Sequence, residues 1–289
     1  PESPPVPYTP LFRSALVFQC SADPRLQSAD TAKGEGFSMS VSLFDLTGRR
    51  ALITGSSQGI GFSLAKGLQA AGAEVVLNGR DASKLSVAAE ELGGVETLVF
   101  DVTDHAAVRT AVDRFEEDTG PIDILVNNAG MQHRAPLEDF PPEMFQKVLQ
   151  TNLTSIFNVG QAVARHMLGR RQGKIINIAS VQTALARPNI SPYTATKGAV
   201  GNLTKGMATE WARHGLQCNA IAPGYFDTPL NAALVNDAEF STWLEKRTPA
   251  GRWGQLDELT GACIFLASGA SSFVNGHVLY VDGGITVSL

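Results

Sequence analysis

Cysteine is scarce in this chain, and the three that are present, Cys20, Cys218 and Cys263, lie far apart in the sequence. Their number is odd and none belongs to a Cys-x-x-Cys pair, which argues against a disulfide framework and a thiolate metal site. The five histidines are also scattered, and no cluster has the spacing of metal ligands. The sequence therefore predicts neither disulfides nor a catalytic metal, and it favours a reducing cytoplasm.

An excess of positive charge and long apolar runs are lacking as well. The 289 residues contain 23 Lys+Arg against 28 Asp+Glu, a net charge of −5, so no global positive field attracts nucleic acid. No uninterrupted apolar run approaches the ~20 residues that cross a bilayer. With 44% hydrophobic residues over this length, the chain can bury a full core. We therefore expect a folded protein with no nucleic-acid partner and no membrane partner.

The first 39 residues differ in composition from the rest. Five prolines lie within residues 1–10, and Ser, Asp and Gly interrupt the remainder without a lasting period. This composition predicts a disordered N-terminal extension at 1–39, while a Ser-rich, Arg-containing transit peptide is the alternative. The folded domain is then expected at residues 40–289.

From residue 49 onward, short β-branched runs alternate with helical stretches. The predicted strands lie at 51–54, 74–78, 97–100, 122–126, 174–178, 217–221 and 277–281. The predicted helices lie at 60–71, 83–92, 106–118, 144–167, 193–214 and 256–268. Parallel strands need crossover helices between them. The sequence therefore predicts an α/β protein with a single doubly wound, Rossmann-type domain and a seven-stranded parallel sheet, which binds ligands at the carboxyl ends of its strands.

The segment at about 225–254 lacks a clean period. It follows the sixth predicted strand, where a lid over a ligand site would lie. We therefore expect this segment to form a lid.

A glycine-rich turn follows the first predicted strand. Gly55, Gly59 and Gly61 have the spacing T-G-x-x-x-G-x-G and lead directly into a helix. Such a turn lets the backbone approach a pyrophosphate, and the helix N-terminus directs its N–H groups at the anion. A tight turn without a ligand would contain the same glycines, but its position on the first strand of a parallel sheet favours a dinucleotide.

The end of the second predicted strand indicates which dinucleotide is bound. Asn78 and Gly79 supply no carboxylate for a ribose 2′-hydroxyl, and Arg80 follows them. A guanidinium can donate two hydrogen bonds to a 2′-phosphate, although Asp81 reduces the local positive charge and Gln58 occupies the glycine-rich turn. The alternative is an exposed loop arginine. We therefore expect NADP (NADPH) rather than NAD.

A second constellation follows the fourth and fifth predicted strands. Tyr193 and Lys197 lie four residues apart, on one face of a predicted helix. Ser180 ends the fifth strand, and Asn152 lies on the preceding long helix. Together with Asn-Asn-Ala-Gly at 127–130 and Pro-Gly at 223–224, these residues resemble the short-chain dehydrogenase/reductase family, and the resemblance extends over almost the whole predicted domain.

The resemblance implies an oxidoreductase in which Tyr193 exchanges a proton with the substrate oxygen. A free phenol has a pKa of ~10, which the charges of Lys197 and of a nicotinamide ring would lower. Ser180 would bind the substrate oxygen, Lys197 would also bind the nicotinamide ribose, and Asn152 would support a water chain. The implied cofactor-binding residues are Gly55, Ser57, Gln58, Gly59, Ile60, Gly61, Arg80, Asp101, Val102, Asn128, Ala129, Gly130, Tyr193, Lys197, Pro223, Gly224, Phe226 and Thr228.

Two further expectations come with the family. Asp101 would flank the adenine, but it would equally suit a helix N-terminus, where the macrodipole stabilises an acid. The family also implies a homotetramer, with contacts through helices 144–167 and 193–214 and through the terminal segment 285–287.

Several strings resemble one subgroup of the family, which interconverts D-gluconate and 5-keto-D-gluconate. They include Met-Gln-His-Arg at 131–134, Ser-Val-Gln at 180–182 and Arg-Thr-Pro-Ala-Gly-Arg-Trp-Gly at 247–254. A small-molecule sugar acid needs a cation and several hydrogen-bonding groups around it, and for Arg134 the alternative is a salt bridge to Glu138. The candidate substrate residues are Gln132, His133, Arg134, Gln182, Arg187 and Asn189. The competing functions are a 3-oxoacyl-acyl-carrier-protein reductase, another sugar-acid dehydrogenase and a non-catalytic NADP sensor.

Overall fold

Seven strands form one parallel sheet in the computed structural model, which describes residues 42–289. The strands are β1 (Arg50–Ile53), β2 (Glu74–Gly79), β3 (Glu96–Val99), β4 (Ile124–Asn127), β5 (Gly173–Ile178), β6 (Leu216–Pro223) and β7 (Val278–Val281). Their order in the sheet is β3-β2-β1-β4-β5-β6-β7. The predicted doubly wound, seven-stranded parallel sheet is confirmed. The extension predicted at 1–39 lies outside the described residues.

Helices connect the strands. They are α1 (Gly59–Ala70), α2 (Ala82–Glu91), α3 (His105–Asp118), α4 (Pro142–Leu149), α5 (Ser155–Arg170), α6 (Ser191–Trp211), α7 (Ala232–Val235), α8 (Ala238–Arg247) and α9 (Thr260–Ala267). Among residues 42–289, no helix combines the length and the apolar character that crossing a bilayer requires.

The core has two halves because successive strand residues point to opposite faces of the sheet. Leu52 of β1 packs in a cluster with residues of α3, α5 and α6. Its neighbours Ala51 and Ile53 pack in a second cluster, with residues of α1, α2 and α9. All three side chains are fully buried. The near-continuous apolar runs of the strands therefore reflect a sheet that is covered by helices on both faces.

The helix predicted at 144–167 is interrupted at Asn152. The chain forms α4, then a π-helical turn at Gln150–Thr154, then α5. A π turn inserts an extra residue into the helix and is frequent at functional sites. Apolar periodicity alone does not reveal this turn, because both flanking helices keep the α-helical period.

The segment predicted as a lid is largely helical. It contains a 3-10 turn (Pro229–Asn231), α7 and α8. The rings of Tyr225, Phe240 and Trp253 pack together there, with centroids 5.7 to 6.2 Å apart. These aromatic contacts, which are distant in sequence, stabilise short helices that show no clear period of their own.

Candidate active site

A cavity of about 1050 Å³ is lined by residues that follow the strands. Gly55 follows β1, Arg80 follows β2, Ser180 follows β5, and Gly224 follows β6. The carboxyl ends of parallel strands meet at one edge of the sheet, where doubly wound proteins bind ligands. The predicted cofactor residues in its wall are Gly55, Ser57, Gln58, Gly59, Ile60, Arg80, Asp101, Val102, Asn128, Ala129, Gly130, Tyr193, Lys197, Pro223, Gly224, Phe226 and Thr228.

The glycine-rich turn depends on the small size of its glycines. Gly55 and Gly59 each have φ of +61°, a region that side chains disfavour. A Cβ on Gly61 would lie 2.4 Å from Asn128 Nδ2, and a Cβ on Gly55 would lie 2.9 Å from Ala129 Cα. Gly61 does not itself line the cavity, and its assignment to the cofactor site stays a prediction. It is needed because α1 packs against the turn and against the segment after β4.

Asn128 holds the turn in place. Its Nδ2 donates to the carbonyls of Thr54 and Gly55 at 2.9 and 3.0 Å, and its backbone N donates to Thr54 Oγ1 at 2.9 Å. The side-chain amide donates both of these bonds to the protein backbone, and Asn128 also lines the cavity, so its contact with the adenine ribose stays a prediction. Asn128 therefore fixes the shape of the turn from the neighbouring strand.

Arg80 lies at the same end of the cavity and is mostly exposed. Its Nη1 is 3.7 Å from Asp101 Oδ2. Asp81, expected to weaken the charge of Arg80, instead accepts from Ser83 N and Lys84 N and caps α2. The acid that contacts Arg80 is therefore Asp101, which follows β3, and sequence position alone does not reveal this pairing.

Two roles were considered for Asp101, a contact with the adenine and a place at a helix N-terminus, and the structure bears on both. It lines the cavity, and it accepts from Thr103 N and Oγ1 at 2.9 and 2.7 Å. Burial opposes ionisation, but the hydrogen bonds from Thr103 and the charge of Arg80 outweigh it and lower the pKa of Asp101. The N-cap of α3 is Asp104, so Asp101 is not the helix cap.

Sequence reasoning missed two residues at this end. Lys84, on the first turn of α2, lines the cavity together with Arg80. Asn78 is buried, and its Nδ2 donates to Leu98 O at 2.9 Å. The position of Lys84, three residues after the helix-capping Asp81, was a sequence signal that could have identified it. No sequence signal distinguishes a buried asparagine that joins strands.

Tyr193, Ser180 and Lys197 line the other end of the cavity. Tyr193 and Lys197 lie on α6, and Lys197 Nζ is 5.6 Å from the centroid of the Tyr193 ring. Lys197 Nζ donates to Ile178 O at 2.6 Å, and Ser180 Oγ accepts from Gln182 N at 3.2 Å. The end of β5 therefore holds both the ammonium and the hydroxyl beside the phenol.

The pKa of Tyr193 is raised in this structure, not lowered as expected. Burial is the largest cause, because a phenolate loses hydration, while a hydrogen bond with Ser180 and the charge of Arg187 act in the opposite direction. Burial also lowers the pKa of Lys197 to about 8. The expected effect of Lys197 on Tyr193 is absent from these causes, and Arg187 is the cation that favours the phenolate.

Asn152 lies behind the cavity wall. Its Oδ1 accepts from Met131 N at 2.7 Å, and its Nδ2 donates to Met131 O at 2.9 Å and to Thr196 Oγ1 at 3.4 Å. Thr196 Oγ1 in turn donates to Tyr193 O at 2.7 Å. Asn152 is fully buried. The π turn thus places an amide that joins the segment after β4 to the backbone of the helix carrying Tyr193.

The predicted substrate residues divide into two groups. Gln132, Gln182 and Arg187 line the cavity. Arg134 is exposed, and the side chain of His133 packs edge-on against Phe140 at 5.3 Å.

Asn189 makes its contact through the backbone and not through the side chain. Its φ is +68°, where asparagine is tolerated, and its carbonyl accepts from Ala135 N at 3.1 Å. His133, Arg134 and Asn189 are outside the cavity wall. The alternative of an Arg134–Glu138 salt bridge is not realised among the ion pairs of residues 42–289.

Other charged groups do not form a metal centre in the described part of the chain. No group of three or more His, Cys, Asp or Glu side chains between residues 42 and 289 lies close enough together to hold a metal ion. Cys218 and Cys263 are buried free thiols, and burial raises the pKa of each to about 12.

Comparison with known proteins identifies the class. A family model described as Enoyl-(Acyl carrier protein) reductase matches residues 55–286, and a short-chain type dehydrogenase/reductase from Mycobacterium marinum has a similar structure, with a TM-score of 0.81 at 39% identity. The chain belongs to the short-chain dehydrogenase/reductase family of oxidoreductases, as the sequence motifs predict.

Within this family, the chain is similar to particular enzymes. A gluconate 5-dehydrogenase of Gluconobacter oxydans (strain 621H) is 63% identical over 251 residues, which cover 86% of this chain and 98% of the relative. A 5-keto-D-gluconate 5-reductase of Escherichia coli (strain K12) is 51% identical over 86% of this chain and 99% of the relative. The crystal structure of a gluconate 5-dehydrogenase from Burkholderia cenocepacia J2315, in complex with NADP and tartrate, has a TM-score of 0.85 at 59% identity, covering 86% of this chain and 100% of that chain.

Proposed function

We propose that this protein is an NADP-dependent oxidoreductase that interconverts D-gluconate and 5-keto-D-gluconate, with Tyr193 as the acid/base. The single observation that carries the proposal is one cavity containing the glycine-rich turn, Arg80, Ser180 and Tyr193. The similarity to gluconate 5-dehydrogenases over their whole length supports the choice of substrate.

The cavity suits a dinucleotide phosphate. The backbone around Gly55 and Gly59 is free of side chains, α1 begins at Gly59 with N–H groups that no side chain caps, and these groups favour a pyrophosphate. Arg80 and Lys84 supply positive charge for a 2′-phosphate. Structures of similar proteins hold NADP. When bound, NADPH supplies the hydride.

Residues of the chain itself transfer the proton. In the reduction of a ketone, Tyr193 donates its phenolic proton to the substrate oxygen, which Ser180 binds and orients. The raised pKa of Tyr193 keeps the phenol protonated at neutral pH, as a proton donor requires. In the reverse reaction the phenol must first ionise, and the charge of Arg187 favours that step. Asn152 positions the helix through Met131 and Thr196.

A spectrophotometric substrate panel tests the proposal. NADPH oxidation is followed with 5-keto-D-gluconate and with an acetoacetyl thioester, and each assay is repeated with NADH. We expect turnover with 5-keto-D-gluconate and NADPH. Preference for the thioester would identify an oxoacyl reductase, and absence of turnover with every substrate would favour the NADP sensor.

We also propose a homotetramer. Phe145 of α4 and Phe157 of α5 are 37% and 47% exposed, and large exposed apolar side chains on adjacent helices favour association. In the terminal segment, Val287 is exposed, whereas Ile285 packs against Val181 and Leu244 within the same chain. Within the segment 285–287, Val287 is therefore the apolar side chain that is available for a contact between subunits. Sedimentation as a monomer would contradict the assembly.

The expected cytoplasmic location rests on the thiols. Cys218 and Cys263 are free and buried, a pattern typical of reducing compartments. Fractionation of the source cells would test it.

A further inference from the structure

Arg187 occupies a specific place in the cavity wall. It lies between the 3-10 turn Val181–Thr183 and the start of α6, and it is half-buried. Its guanidinium carbon is 5.5 Å from the centroid of the Phe240 ring on α8. A planar guanidinium stacked on an aromatic ring keeps its N–H groups free for other partners. The lid helix therefore holds Arg187 while its donors remain available.

No acidic side chain of residues 42–289 neutralises this arginine. Within the described part of the chain, the ring of Phe240 is the one partner in contact with the Arg187 side chain, apart from longer-range charge effects. Arg134 lies near enough for the two positive charges to repel each other: burial first, and then Arg187, lowers the pKa of Arg134. Two unpaired guanidiniums beside a cavity favour an anionic ligand between them and the catalytic residues.

The charge of Arg187 also reaches the reaction centre. It opposes the burial that raises the pKa of Tyr193, and it has the same effect on Tyr225 at the base of the lid. Arg187 and Tyr193 are not hydrogen-bonded to each other. An anionic group bound to Arg187 would therefore share the cavity with the Tyr193 phenol without contacting it. That separation suits a substrate whose carboxylate is several bonds away from the ketone that reacts.

We propose that Arg187, held by Phe240, is the residue that binds the substrate's carboxylate, and that this contact makes the lid helix α8 part of the selection of sugar acids over neutral sugars. This inference rests on the proposed function. Arg134, which is exposed and outside the cavity wall, adds positive field at the entrance and does not itself anchor the carboxylate. Phe240 acts through Arg187 and is a positioning residue.

The first test replaces the cation. L-Sorbose carries a hydroxymethyl group where 5-keto-D-gluconate carries its carboxylate, so the ratio of the two kcat/KM values measures recognition of the charge. We expect Arg187→Ala to lower this ratio by about 10–100-fold, as loss of a charge-assisted hydrogen bond does, mainly through KM for 5-keto-D-gluconate. Arg134→Ala should lower it several times less.

The second test concerns the lid. Phe240→Leu removes the ring under the guanidinium, and Phe240→Tyr keeps it. We expect Phe240→Leu to raise KM for 5-keto-D-gluconate by about 2–10-fold with little change for L-sorbose, and Phe240→Tyr to restore the wild-type value. Arg252→Ala is the matched control, because Arg252 belongs to the same lid segment but is exposed and bonded to Glu258, and it should leave the ratio unchanged.

The outcomes separate the two proposals. If the wild type does not reduce 5-keto-D-gluconate, the proposed function and this inference both fail. If the wild type reduces it and Arg187→Ala slows both substrates equally, the function stands and the inference is overturned. A larger loss of the ratio in Arg134→Ala than in Arg187→Ala would also overturn it. Thermal melting of each variant verifies that it is folded.

Discussion

The ammonium of Lys197 donates to the carbonyl of Ile178 at 2.6 Å, so α6 is tied to the end of β5 by a buried charge. Lys197 is 5% exposed. Removing its hydration disfavours the charged form and lowers its pKa to about 8. Burial of Lys197 at this position therefore lowers the free energy of unfolding at neutral pH.

This cost predicts a pH dependence of stability. The pKa of Lys197 is about 8 in the folded chain and close to its ordinary 10.5 in the unfolded chain. Between these values the unfolded chain binds more protons, so the penalty that Lys197 imposes on the free energy of unfolding is fully present below pH 8 and is relieved as pH rises towards 10.5. From pH 8 to 9.5, the wild type should gain about 1.5 kcal/mol relative to Lys197→Met.

Urea unfolding at the two pH values measures this difference. The pKa of Lys174 is also lowered to about 8, but Lys174 is present in both proteins, so its effect cancels. Parallel pH profiles for the two proteins would show that Lys197 does not titrate in this range.

Tyr193→Phe removes the exchangeable proton and keeps the ring. We expect kcat to fall by at least ~10²–10⁴-fold, because general acid/base catalysis is lost, while NADPH binding measured by fluorescence is retained. Tyr280→Phe is the matched control, since Tyr280 lies on β7 and outside the cavity wall, and it should remain active. Substantial activity of Tyr193→Phe would mean that another group transfers the proton.

Arg80→Ala tests the cofactor preference. Arg80 is the only cation in contact with Asp101 among residues 42–289, so its removal takes away a 2′-phosphate ligand and leaves a neighbouring negative charge unopposed. We expect NADP affinity to fall by about 10–100-fold, with NAD affinity nearly unchanged, in calorimetric titrations. Lys84→Ala should also lower NADP affinity, by a smaller factor. An equal loss for both cofactors would refute the assignment.

Gly61→Ala tests the packing of the glycine-rich turn. The added Cβ would lie 2.4 Å from Asn128 Nδ2 and 2.6 Å from Gly55 O, which α1 and the turn can relieve only by moving apart. We expect a loss of about 1–3 kcal/mol in the free energy of unfolding and weaker NADP binding. Gly261→Ala, at an exposed position of α9 with open space around it, should be neutral or stabilising by up to about 1 kcal/mol. Similar unfolding curves for both variants would show that the turn tolerates a side chain.

The seven-stranded sheet and most of the candidate cofactor residues could be predicted from local patterns in the sequence. Buried parallel strands are continuous apolar runs, and Gly55, Gly59 and the Tyr193/Lys197 pair belong to local patterns whose geometry is set within one turn or one helix. Such features need no knowledge of distant residues. The same holds for Arg80, because its place is fixed by the end of β2.

The arrangement of the candidate substrate residues and the electrostatics of the cavity depend on contacts between distant segments. Arg134 was the arginine that the sequence favoured for a substrate carboxylate, whereas the packing of α8 beside the segment before α6 places Arg187, and not Arg134, in the cavity wall, against Phe240. The direction of the Tyr193 pKa likewise depended on burial and on Arg187, and the role of Asn152 depended on the π turn. Contacts between segments distant along the chain decide which side chains lose water and which charges meet, and no local pattern records those contacts.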